Sequence, residues 1–170
     1  EKKVKTINLF KKQINKSTCY IPGAYFISLR TTLPNFLINR VLFVLLVLLI
    51  LDKVSPIIIL SWLAFISLYE IGYFINDTFS IEIESHASAR LGPIEKSFKQ
   101  KFILCHLGWA GFFHFLLLFM TISKLFFLIN IFIVGVFMLH NLFPPEKRLP
   151  TYTLLKMSHI IVPLSSLIII

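Results

Sequence analysis

Long apolar stretches separated by short charged turns constrain this chain more than any motif in it. Residues 55–75, 102–121 and 125–140 are almost wholly apolar, and a further apolar segment opens near Thr153. A helix needs about twenty such residues to cross a bilayer. The uninterrupted run at 41–51 is only eleven residues long, closed by Asp52-Lys53 and Pro56. A first span ending there must therefore start near Leu33, which draws Asn35, Asn39 and Arg40 into the inner leaflet. Arg40 either snorkels to the headgroups or faces a polar cavity, where a guanidinium would bind phosphate.

The runs are unbroken rather than alternating, so they predict helices and not a barrel. A chain that is 56% hydrophobic, with mean hydropathy +0.82, is too apolar for an ordinary soluble domain. The expectation is an all-α polytopic transmembrane bundle of about five spans. Residues 1–31 form a basic juxtamembrane leader and residues 32–170 the transmembrane domain. In the leader, Ile7, Phe10 and Ile14 share a helical stripe beside Lys11, Lys12 and Lys16. That pattern suits either a short interfacial helix or a merely basic tail. The chain starts at Glu1 and stops inside an apolar run, and is expected to be incomplete at its C-terminus.

The net charge of +9 invites a nucleic-acid reading, but its placement argues against one. Eight Lys/Arg lie in the first forty residues, ahead of or at the start of the first span. With the N-terminus cytoplasmic, the inner segments add Arg90, Lys96, Lys99, Lys101, Lys147 and Arg148, whereas the outer turns carry only Lys53 and Lys124. Such asymmetry is the usual orientation signal, and the leader also attracts anionic lipid. The two cysteines, Cys19 and Cys105, show no zinc spacing and are expected to stay free.

With that orientation the polar residues gather on the cytoplasmic side. Asn76-Asp77 closes the second span and opens a segment with Glu82 and Glu84. On a helix, Asp77 and Glu84 share a face with Ser80 between them, and Glu70 extends that face back into the span. Asp77 and Glu84 could hold Mg²⁺ with positions left for substrate phosphate, while Glu82 points elsewhere. Glu70, flanked by Tyr69 and Tyr73, is either functional or a structural hydrogen-bonding group satisfied by a tyrosine or backbone. Arg90, Lys147 and Arg148 could grip phosphate, although topology-setting charges would look the same. His140-Asn141 could line a cavity mouth. His106, His114 and His159 read as interior hydrogen-bonding residues rather than metal ligands.

These segments resemble the UbiA-type superfamily of intramembrane prenyltransferases. Asn76-Asp77 matches the opening of that family's first acidic signature. Ser80 stands where its next acid would be, and Glu84 takes the place of the last. Arg90 fits the basic residues that follow, and Pro145, Lys147 and Arg148 resemble the later proline and basic pair. Leu29-Arg30 with Asn39 resembles the entry to the first helix, above all in the branch that transfers phosphoribosyl groups to polyprenyl phosphate. The resemblance covers about the first half of a typical member, and the second acidic motif is absent from these residues. It implies transfer to or from a polyprenyl phosphate or diphosphate at a bacterial or archaeal plasma membrane. Asp77, Asn76 and Glu70 would form the catalytic group, with Mg²⁺ on Asp77 and Glu84. Arg40, Arg90, Lys147 and Arg148 would offset phosphate charge. The alternative is a non-catalytic scaffold or transport subunit of a lipid or glycan pathway.

Overall fold

A computed structural model of the chain describes residues 18–50, 55–78, 94–120 and 123–167. The described residues are helical, with no strand among them. A short helix α1 (Ala24–Leu29) follows the turn at residues 18–23. Helix α2 (Leu33–Phe36) continues through a π-helical stretch at Leu37–Leu42 into α3 (Phe43–Ile50). Then come α4 (Pro56–Thr78), α5 (Lys96–Leu118), α6 (Lys124–Leu142) and α7 (Leu149–Ser165).

The helix starts carry ordinary local chemistry. Thr32 caps α2, its hydroxyl accepting the Asn35 N–H, with Pro34 in the first turn. Pro56 opens α4, where its missing N–H costs nothing, and the Ser55 hydroxyl accepts the Ile57 N–H. Ser123 accepts the Leu125 N–H in the same way at α6.

Among the described residues, three helices are long and apolar enough to cross a membrane: α4, α5 and α6. Of these, α4 is the central one, with 56% of its most apolar stretch buried, against 28% for α5 and for α6. Its neighbours are α5, α6 and α7. On α5 and α6 the residues Leu104, Phe112, Phe115, Leu128, Ile131 and Phe132 point outward. An apolar exterior on helices of this length suits contact with lipid.

Close packing of α4 on α6 depends on Gly72. A Cβ there would collide with the Phe137 ring, which the edges of Tyr69 and Tyr73 hold in place at centroid distances of 4.9 and 5.6 Å. Gly72→Ala should therefore destabilise the fold by about 1–3 kcal/mol, the usual range for overpacking. Thermal unfolding in detergent measures the loss, and adding Phe137→Leu should recover part of it.

The described end of the leader packs against the bundle. Cys19, Tyr25 and Phe26 are buried, and Trp109 of α5 donates to the Tyr20 carbonyl at 3.0 Å. Residues 18–30 thus form a strap laid across α4 and α5.

Candidate functional site

Two carboxylates of α4 fasten this strap at both ends. Glu70 and Asp77 are seven residues apart, two helical turns, and so project from one face of the helix. Glu70 is wholly buried. Its Oε1 accepts the Phe26 N–H at 2.7 Å, and its Oε2 accepts the Gly23 N–H at 2.8 Å. His106 Nε2 lies 2.9 Å from the same Oε2. Gly23 makes the arrangement possible, because its φ of 89° lies where residues with a side chain are strained. The first turn of a helix leaves N–H groups without intrahelical partners, and here a buried carboxylate from another helix takes two donors at the start of α1.

At the other end of α1, Arg30 forms an ion pair with Asp77. Its Nε donates to Asp77 Oδ2 at 3.0 Å and its terminal nitrogen donates to Oδ1. Tyr25 adds a hydrogen bond from its hydroxyl to Oδ2 at 2.8 Å. Burial pushes the Tyr25 phenol well above its ordinary range and the neighbouring Asp77 charge adds to this, so the hydroxyl stays protonated and donates. The guanidinium also lies 4.2 Å from the centroid of the Tyr73 ring. Nearby, burial pushes the Cys19 thiol up to about 11, which keeps it an unreactive thiol.

Arg30 is thereby held at the wall of a polar cavity of about 690 Å³ between the strap, α4, α6 and α7. Asn76, His140 and Lys156 line it together with Tyr73 and Tyr152. Asn76 Oδ1 is buried with no hydrogen-bond donor among the described residues. His140 Nδ1 lies 2.9 Å from the Thr151 hydroxyl, and the Lys156 ammonium sits 4.9 Å from the Tyr152 ring centroid. Arg30, Lys156, the Asn76 amide and the His140 imidazole thus share one concavity.

The expected site residues are distributed unevenly around this cavity. Asn76 lines it, and Asp77 stands behind Arg30 with both oxygens engaged. Glu70 is committed to the strap rather than to the cavity. Lys147 is exposed in the 3₁₀ turn Pro145–Lys147. Arg148 precedes α7, and its Nε donates to the Phe143 carbonyl at 2.7 Å. Neither lines the cavity. Arg40 belongs to the π-helical stretch, its side chain outside the described residues, as are Glu84 and Arg90 entirely. His140 lines the polar cavity, whereas Asn141 lines a separate apolar groove between α4 and α6.

Lys156 was not anticipated as a site residue. The signal for it is spacing: Tyr152, Lys156 and His159 recur at intervals of four and three, so one helical face carries all of them.

The described residues do not by themselves fit Mg²⁺. Among them no group of three His, Cys, Asp or Glu side chains converges, and a cation at Asp77 would meet the Arg30 guanidinium. The other expected ligand, Glu84, lies outside the described residues. No family model, curated protein or solved structure matches the chain.

Proposed function

We propose that this membrane protein binds the phosphate or diphosphate headgroup of a polyprenyl lipid in the Arg30–Lys156 cavity and acts on it as a UbiA-like transferase. The observation that carries the reading is that Arg30 and Lys156 line one polar cavity together with Asn76 and His140. In this reading the cavity lies at the cytoplasmic ends of about five spans, the orientation expected from charge asymmetry, where a headgroup would lie. Arg30 and Lys156 would bind and orient the phosphate, taking the place assigned from sequence to Lys147 and Arg148. Asp77 would keep Arg30 pointed at the headgroup. Mg²⁺, with Glu84 and Asp77 as its expected ligands, belongs to the reading as the companion ion of the phosphate.

A second reading has its own observation. The oxygens of Glu70 and Asp77 are taken up in fastening the strap, which suits a binding protein without transfer chemistry. Incubating the nanodisc-reconstituted protein with polyprenyl diphosphate, with and without Mg²⁺, separates the two. Mg²⁺-stimulated release of diphosphate, abolished by Asp77→Asn, is the expected result. Headgroup binding with no release under either condition would leave the non-catalytic reading standing.

A further inference from the structure

Between Lys16 and Arg30 the sequence carries no charge for thirteen residues. That is too short a stretch to cross a bilayer, which takes about twenty residues in a helix. It suits a loop that enters the membrane and leaves on the side it came from.

The contacts of the strap trace such a path. The end of α4 and the start of α5 stand level, with the Lys99 ammonium 3.4 Å from the Thr78 carbonyl. The first limb of the strap packs at this level, where the Tyr20 and Phe98 rings lie 5.7 Å apart. It then runs inward, since the Tyr20 carbonyl is met by Cys105 and Trp109, further along α5. The chain turns at Pro22-Gly23, where Gly23 donates to Glu70. Helix α1 climbs back beside α4 until Arg30 meets Asp77. Both limbs therefore open at one end of α4.

Helix geometry gives the depth of the turn. Glu70 precedes Thr78 by eight residues, which is about 12 Å at the usual helical rise. The hydrocarbon core of a bilayer is about 30 Å thick, so its centre lies about 15 Å in. Irregular backbone is tolerated at that depth only where the protein answers its polar groups. Here Glu70 accepts the N–H groups of Gly23 and Phe26, and Trp109 donates to the Tyr20 carbonyl. The Ile21 carbonyl accepts the Ala24 N–H at 3.1 Å, and Pro22 has no N–H to satisfy. The exposed side chain next to the turn is apolar Ile21, in keeping with outward-facing Leu104 and Leu107 on α5.

We propose that residues 18–30 are a re-entrant membrane segment, with the Pro22-Gly23 turn near the bilayer centre and Ile21 against lipid chains. Glu70 does for this turn what water does for one at a surface. The proposal rests on α4 and α5 crossing the bilayer, and not on what the polar cavity binds.

A nitroxide label reports its depth through collisions with oxygen, which concentrates in lipid, and with a nickel chelate, which stays in water. Cys19→Ala and Cys105→Ala remove both native thiols. The label is then carried by Ile21→Cys, by Leu107→Cys at the midpoint of α5, or by Glu146→Cys in the exposed turn Pro145–Lys147. In nanodiscs the first two labels should favour oxygen and the third the chelate. An Ile21→Cys label that behaves like the Glu146→Cys label overturns the proposal. A Leu107→Cys label open to the chelate takes α5 out of the bilayer and overturns it as well. The unaltered protein supplies a check that needs no substitution. A lipid with a diazirine at the end of its acyl chain, irradiated in the same nanodiscs, should leave adducts on the peptide holding Ile21 as well as on α5. Adducts on α5 with none on that peptide also overturn the proposal.

Discussion

Asp77→Ala should destabilise the protein by about 3–5 kcal/mol, the usual penalty for leaving one partner of a buried ion pair uncompensated. Arg30 and Asp77 have side chains only 10% and 5% exposed, so solvent can do little for the guanidinium left behind. Tyr25 would lose its acceptor as well, in a pocket closed by the rings of Phe74 and Phe102. Asp77→Asn should fall between, because the amide oxygen can still accept from Tyr25 but the charge is gone. Pairing Arg30→Met with Asp77→Leu should restore most of the loss, since an apolar pair of similar volume avoids burying either charge. The unfolding midpoint in detergent of the single and double variants checks all three. If Asp77→Ala unfolds like the unaltered protein, the carboxylate is not fastening the strap.

Much of this architecture was legible from residues alone. Apolar runs located the spans that α4, α5 and α6 occupy, because a segment that must satisfy its backbone in lipid has to be both helical and apolar. The helices overshoot the runs at their polar ends, as at Lys96–Lys101, since helix propensity continues where hydrophobicity stops. The seven-residue spacing likewise placed Glu70 and Asp77 on one face. What covers that face was not legible. Neither carboxylate carries a mark of its partner: Gly23 and Phe26 contribute backbone N–H groups, and Arg30 looks like one more topology-setting charge in a basic leader. Long-range contacts of this kind, 44 to 52 residues apart, follow from tertiary packing and leave no local periodicity. The small clue was Gly23-Ala24-Tyr25-Phe26, an apolar turn-and-helix signal in an otherwise cationic segment.

The second large effect concerns Lys156. An ammonium on the cavity wall, facing the same space as Arg30, should contribute a charge-assisted hydrogen bond to a phosphate. Such bonds are worth about 1.5–3 kcal/mol, so Lys156→Met should weaken phosphate binding roughly tenfold to a hundredfold. Stability should change little, because Lys156 lies at the cavity rim beside Tyr152 rather than in the buried core. Arg30 is a poorer probe, as its removal would also strand Asp77.

The most direct measurement compares binding of a polyprenyl phosphate with that of the matching polyprenol in nanodiscs, for the unaltered protein and for Lys156→Met. The two ligands share the apolar tail and differ only at the headgroup. The unaltered protein should prefer the phosphate by at least about tenfold, and Lys156→Met should lose most of that preference while holding the alcohol as before. Equal affinity for phosphate and alcohol, or a preference that Lys156→Met leaves intact, would contradict a headgroup site in this cavity.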